Sequence, residues 1–172
     1  DLIVMPGGCT GSVNNPTCAG GLDTVQKMSS PNCCNTATCN ALNNFCGEES
    51  YGARATVVAM GVSGISSYTF PAISYCDAMN YGGYTDWYLP ARQEMLNQIY
   101  PNMAVIGGFR SNGYITSHIG GNYDAGYAEF SNGSAQGLTN TNANVYIRCA
   151  RRENIALPNL PNDTDPLDVS FP

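Results

Sequence analysis

Charge is scarce in this chain. Asp, Glu, Lys and Arg make up 12% of its 172 residues, about half the usual share of a soluble domain. Histidine and tryptophan occur once each, so chemistry built on clustered imidazoles has only His118 to draw on. No apolar run approaches the roughly 20 residues that cross a bilayer. No leader peptide is visible ahead of Asp1, and a leader or anchoring segment already removed is compatible with that start. Positive charge is thin as well. Residues 51–152 hold six arginines against five acids, a net of +1, while residues 1–50 carry −3 and those from Glu153 onward −4, within a total of −6. A nucleic-acid partner wants a basic face. None is evident beyond Arg148, Arg151 and Arg152, so no such partner is expected.

What is present points to a folded, oxidised protein. Hydrophobic residues reach 43%, which argues against disorder throughout, and the length fits one medium domain able to bury a core. Polarity comes from Asn, Ser, Thr, Gly and Tyr, the residues that supply adaptable contacts on binding faces. Eight cysteines occur at positions 9, 18, 33, 34, 39, 46, 76 and 149. An even count at this density reads as disulfides formed outside the reducing cytosol. Zinc, the rival, wants C-x2-C knuckles or Cys with His, and neither spacing is here.

Residues 1–50 carry six of the cysteines and little apolar bulk. Leu2–Met5 is strand-like, and Leu22–Met28 and Thr38–Phe45 look helical. Such a segment needs disulfides to hold it, which makes it a cysteine-rich cap. Six cysteines allow fifteen pairings, and the adjacent Cys33 and Cys34 call for different partners.

Residues 54–60, RATVVAM, read as a strand. Thr69 is placed to cap a helix in which Ile73, Cys76 and Met79 face inward. Residues 81–87, YGGYTDW, read as a turn. A second helix is expected from Leu89, with Pro90 early and Pro101 as its stop. Residues 114–118, 126–130 and 145–151 read as antiparallel strands, and Asn112-Gly113 and Asn132-Gly133 are hairpin signals. Residues 153–172 hold prolines and acids without periodicity, an extended tail. The fold class expected is α+β, with an N-terminal cap (1–50), a main domain (51–152) and the tail (153–172).

Several blocks of the main domain fall in a familiar order: Tyr75-Cys76; Gly83-Tyr84-Thr85-Asp86-Trp87-Tyr88-Leu89-Pro90 with Glu94; YITSH at 114–118; Tyr127-Ala128-Glu129-Phe130 before Asn132-Gly133; and Val145-Tyr146-Ile147-Arg148-Cys149-Ala150-Arg151. Together, over about residues 54–152, they resemble the Lcl-type C-terminal domain of a collagen-like bacterial adhesin. The resemblance implies a C-type-lectin-like fold, with two helices and a twisted antiparallel sheet. It also implies a disulfide between Cys76 and Cys149, leaving Cys9, Cys18, Cys33, Cys34, Cys39 and Cys46 to pair among themselves. Two departures stand out. Tyr88 occupies a place where the family has Arg, and Ile115-Thr116-Ser117 replaces a Trp-Ser-Ser run.

Candidate residues divide by role. Trp87, Leu89, Pro90, Glu94 and Arg148 read as structural. Trp87 is a core anchor with a hydrogen-bonded indole, Glu94 a helix cap or ion-pair partner, and Arg148 a partner for Asp86 or Glu94. Ligand contact is expected on the loop face of residues 109–144, through Tyr114, His118, Asn122, Tyr123, Asp124, Tyr127 and Asn132. Catalysis is not expected, because neighbouring Ser117 and His118 point to opposite faces of a strand and oxidised cysteines offer no thiolate. Calcium is the one cofactor to weigh. The lectin triplets that bind it are missing, and Asn122, Asp124 and Glu129 are not spaced as an EF-hand.

The sequence therefore reads as a secreted recognition or adhesion module for a glycan or protein surface. The alternatives are a filament, pilus or phage-fibre subunit joined through its termini, and an enzyme of the formylglycine-generating kind, which needs reactive thiols.

Overall fold

In the computed structural model, which describes residues 1–12, 15–21, 23, 25–27, 52–53, 56, 71–119, 125–138 and 144–153, the N-terminal run lies against the last described strand. β1 (Leu2–Val4) pairs antiparallel with β9 (Ala150–Arg152), Leu2 opposite Arg152 and Val4 opposite Ala150. Main-chain bonds from Met5 to Cys149 and from Glu153 to Asp1, both 3.0 Å, extend this ladder at its two ends. Ala150 also exchanges both main-chain bonds with Tyr88, at 2.8 and 3.0 Å, so β9 sits between the N-terminal strand and the segment that follows Trp87.

A second sheet holds five strands: β4 (Val25–Lys27), β5 (Gly113–Ile119), β6 (Ala125–Glu129), β7 (Ser134–Leu138) and β8 (Asn144–Tyr146). Their spatial order is β4-β8-β5-β6-β7, antiparallel except between β5 and β8. A third ladder joins β2 (Cys9–Ser12) to β3 (Asn15–Cys18), with Cys9 and Cys18 directly opposite and bonded as a disulfide. The helical part consists of α1 (Pro71–Asp77) and a composite segment. The latter runs through α2 (Arg92–Glu94), a π turn (Met95–Ile99), a 3-10 turn (Tyr100–Asn102) and α3 (Met103–Ile106). The architecture is α+β, as expected. Among the described residues no helix is long and apolar enough to cross a membrane.

Local sequence explains most of these elements. In α1, Ile73, Cys76 and the following Met79 are buried, as their spacing predicts. At the β6–β7 turn, Gly133 has φ +71°, and a Cβ there would stand 2.8 Å from Cζ of Tyr100. The Asn132 side-chain oxygen accepts the Ser134 N–H at 3.0 Å, so this Asn-Gly pair makes the hairpin. The pair at 112–113 does not. Asn112 precedes β5, and its carbonyl takes the Phe130 N–H at 3.0 Å, closing the β5–β6 ladder instead of turning it. Gly113 is required there because the Tyr127 ring lies across it, 2.8 Å from where a Cβ would be.

Other expectations are corrected. The second helix starts at Arg92, because a residue ahead of proline avoids helical backbone. Leu89–Ala91 instead form a buried connection whose Pro90 carbonyl accepts the Ser117 N–H at 2.9 Å. Pro101 does not stop the helix. It enters at the first turn of the 3-10 segment, where its missing N–H costs no bond. The stop comes at Gly107, φ +77°. Residues 25–27, read as helical, form β4, because pairing with β8 overrides local propensity. Thr56 is helical and buried instead of extended; the rest of strand 54–60 and Thr69 lie outside the described residues, as do helix Thr38–Phe45 and the tail beyond Glu153. From the segment before residue 50, β1 and β4 each pair with a strand of residues 51–152.

The core sits where the composite helix crosses the five-stranded sheet. Met95, Ile99, Tyr114, Ala128 and Phe130 are fully buried, with Leu2, Val4, Phe109 and Tyr146 packed around them. Aromatic rings dominate it: Phe130 lies 4.6 Å from Tyr114, 5.0 Å from Phe109 and 5.3 Å from Tyr100, centroid to centroid. Cys76 of α1 is joined to Cys149 by a disulfide with the Cα atoms 5.5 Å apart, fastening α1 to the approach to β9. Cys33, Cys34, Cys39 and Cys46 lie outside the described residues.

Candidate functional site

The structure divides the residues expected to meet a ligand. Tyr114 is a core residue, not a surface one. It is fully buried, its hydroxyl donates to Asp23 Oδ2 at 2.6 Å and accepts the Arg110 N–H at 2.8 Å. Burial, together with the Asp23 carboxylate, pushes its phenol well above the ordinary range. His118 is half-buried, and its Cδ2 lies 2.8 Å from where a Gly126 Cβ would stand. Gly126, Ala128 and Phe130 share one face of β6, so His118 faces the core side of the sheet. Tyr127 is on the opposite face, across Gly113. Asn132 is exposed at the β6–β7 turn. Asn122, Tyr123 and Asp124 lie outside the described residues. Tyr114, His118, Tyr127 and Asn132 therefore do not converge on one surface. Glu129 accepts the Ser131 N–H at 3.1 Å, and no cluster of metal-ligating side chains occurs among the described residues.

The residues read as structural form two buried hubs. Glu94 is 1% exposed. Its Oε2 accepts the N–H groups of Ala91 (2.9 Å) and Gly52 (3.0 Å), and its Oε1 accepts the Tyr88 hydroxyl (2.9 Å) and Arg152 Nη2 (2.7 Å). This is half of a capping box, because Ala91 has no side-chain oxygen to complete it. The Tyr88 hydroxyl is thus spent on Glu94, and burial raises it far above the ordinary range. Arg152, which burial would push down, is held above its ordinary value by Glu94 and Tyr88.

Arg148 is paired with Asp23, not with Asp86 or Glu94. Its Nε and Nη2 meet the two Asp23 oxygens at 2.8 Å each. Nη1 donates to the carbonyls of Met5 (3.0 Å) and Gly107 (3.2 Å), and the guanidinium stacks 3.9 Å over Phe109. The group thereby satisfies the C-terminal end of α3. Asp23 has no signature in the sequence, because only the fold brings a carboxylate from a loop of the cysteine-rich segment beneath β8. Its carboxyl is nevertheless raised above the usual range, since desolvation outweighs the attraction of Arg148 and the Tyr114 bond.

The third arginine, Arg151, is itself buried at 7% exposure, and beside it lies the arrangement best suited to a ligand. Gly82 and Gly83 both take positive φ, +65° and +81°, which lets Tyr81 and Tyr84 exchange both main-chain bonds at 3.1 Å across a two-residue turn. Trp87, 4% exposed, clamps this hairpin from below. Its indole N–H donates to the carbonyls of Tyr81 (3.2 Å) and Tyr84 (3.1 Å). The expected core anchor is therefore also the support of an exposed tip.

Tyr84 is 48% exposed, with the Arg151 guanidinium 3.7 Å from its ring centroid. Arg151 in turn makes a bidentate pair with Asp86, Nε to Oδ1 at 2.7 Å and Nη2 to Oδ2 at 3.0 Å. The Asp86 bond raises Arg151 above its ordinary value. The Asp86 side chain remains 55% exposed. One ring face is thus held by a fixed cation, while a half-exposed carboxylate stands beside the ring. Ring surface of this kind stacks against the C–H face of a sugar or an apolar side chain, and the carboxylate accepts hydroxyl or amine hydrogens. Sequence reasoning took residues 81–87 for a turn with Trp87 as a core anchor and did not single out Tyr84 or Asp86 for ligand contact; the two glycines between tyrosines, followed by Asp and Trp, were the available signal.

No protein family, curated protein or solved structure matches the chain.

Proposed function

We propose that this chain is an extracellular recognition or adhesion module of C-type-lectin-like build, akin to the Lcl-type domains, and that it holds a glycan on Tyr84 and Asp86. The observation that carries this reading is the half-exposed Tyr84 ring, fixed between Arg151 and the Trp87-clamped hairpin beside the Asp86 carboxylate. A preorganised aromatic loses little entropy on contact. The lectin-like build is supported by the two helical segments, the mainly antiparallel sheet and the helix-to-last-strand disulfide. Both described disulfides favour an oxidising compartment.

A glycan array followed by calorimetry on the best hits tests the proposal. Tyr84→Ala should weaken binding at least about tenfold, or about 1.4 kcal/mol, with little change in Tm, and Tyr127→Ala and Asn132→Ala should leave affinity intact. The reverse pattern would move the contact to the face of residues 109–144. A protein-array hit that depends on Tyr84, with no glycan bound, would replace the ligand class.

A further inference from the structure

At the Tyr84 tip the positive charge is already committed. Arg151 is the cation that meets the ring, 3.7 Å from its centroid, and its side chain is 8% exposed. Two of its nitrogens, Nε and Nη2, donate to the two Asp86 oxygens at 2.7 and 3.0 Å. The third, Nη1, is closed to solvent and has no hydrogen-bond partner among the described residues. The neighbouring Arg148 and Arg152 are taken up by Asp23 and Glu94. Acceptors, by contrast, are left over. An ionised carboxylate has about four lone-pair positions. The Arg151 fork takes one on each Asp86 oxygen, so one on each remains, on a side chain that is 55% exposed. The exposed Glu153 adds a second negative charge, close enough to act on Arg151. The tip therefore presents ring surface and acceptor atoms, while the cation that would receive an anionic group is turned inward.

We propose that the ligand of this tip, within the glycan-binding reading on which the inference rests, is an uncharged sugar residue, and that the Arg151–Asp86 pair sets this specificity by excluding sulfated, uronic-acid and sialylated glycans. A neutral pyranose brings a C–H face to the ring and hydroxyl hydrogens to the spare Asp86 lone pairs. A sulfate or carboxylate in the same place meets Asp86 and Glu153 with no donor turned toward it, and juxtaposed like charges select against such a partner. An amino sugar gains little in exchange. Arg151 already neutralises Asp86, and the guanidinium already draws on the electron density of the ring that a second cation would use. Asp86 thus has two tasks: it accepts from the ligand, and it keeps the Arg151 charge from acting as an anion receptor.

The test is an array of galactose and N-acetylglucosamine oligomers, each in neutral, O-sulfated and free-amine forms, probed with the full chain and followed by calorimetry. The unsubstituted protein should bind a neutral form at least about tenfold more tightly than its sulfated and amine counterparts, or by about one decade in Kd. That affinity should change less than about twofold between 0.01 and 1 M ionic strength, since no exposed charge pair is formed. Asp86→Asn keeps an oxygen acceptor but frees the Arg151 charge, so the ratio of sulfated to neutral binding should rise at least about tenfold. These ratios and the salt series on the unsubstituted protein decide the matter even if Asp86→Asn proves unstable. Tighter binding of a sulfated or amine form that is lost in Tyr84→Ala would overturn this inference and leave the glycan reading standing. An unchanged ratio in a folded Asp86→Asn protein would overturn the role given to the pair. Binding of none of the three forms would remove the glycan reading itself, and this inference with it.

Discussion

Replacing Asp23 with alanine strands the Arg148 guanidinium in a space where the two side chains are 4% and 1% exposed. Five polar contacts surround that guanidinium, two of them to Asp23 and three to the carbonyls of Met5 and Gly107. The carbonyls orient the cation but do not neutralise it. Removing one partner of a buried pair costs about 3–5 kcal/mol, and Asp23→Ala should fall in that range. Arg148→Met strands a carboxyl instead, but this group has an escape, because it can take a proton. Its folded-state pKa is already raised by burial. A raised carboxyl contributes stability that is fully present below its unfolded value of about 3.9 and lost as pH rises through the folded value. The Arg148→Met protein should therefore recover stability as pH falls from 7 toward 4, whereas Asp23→Ala should not. The double variant should be milder than the sum of the singles by about 1–3 kcal/mol. Urea melts with disulfides intact, at pH 7 and pH 4.5, read all three variants. Singles below about 1 kcal/mol with strict additivity would refute the reasoning, and so would an Arg148→Met penalty that does not shrink with acid.

Removing the Cys76–Cys149 bond by a double serine substitution opens a loop with a sequence separation of 73; the chain-entropy account puts the loss at about 4 kcal/mol, visible as a lower urea midpoint. Tyr88→Phe deletes one of the bonds to Glu94 while Arg152 keeps the charge paired, so the cost should stay near about 1 kcal/mol. Gly108→Ala should be far more damaging, since φ is +73° and a Cβ would meet the Gly21 carbonyl at 2.6 Å; its thermal midpoint should fall below that of Tyr88→Phe.

Local pattern carried the fold class, the α1 face, the hairpin at Asn132-Gly133 and the β1 strand, because each rests on residues near in sequence. The buried Trp87 with its bonded indole was legible for the same reason: the turn and its support lie within seven residues. Asp23 was not legible, because its partner is 125 residues away and nothing local distinguishes it from any other loop acid. Tyr114 was misplaced outward because a strand with tyrosine and glycine looks amphipathic from its own residues. Only the aromatic cluster around Phe130 and the Asp23 acceptor reveal that it faces in. The Tyr84 tip combined the two situations. Its turn was readable, but the cation beneath it comes from Arg151, on a strand 67 positions later.

The three arginines near β9 fasten different parts of the molecule: Arg148 the N-terminal segment, Arg151 the Tyr81–Trp87 hairpin and Arg152 the start of α2. During synthesis, which proceeds from the N-terminus at about 5–20 residues per second, every one of those parts emerges before its clasp exists. Until residues 148–152 have been made, Asp23, Asp86 and Glu94 lack these cations and Cys76 has no Cys149. Cys9 and Cys18 can pair early, but Cys76 waits for a partner 73 residues later, about 4–15 seconds at that rate, during which it is on offer to wrong partners.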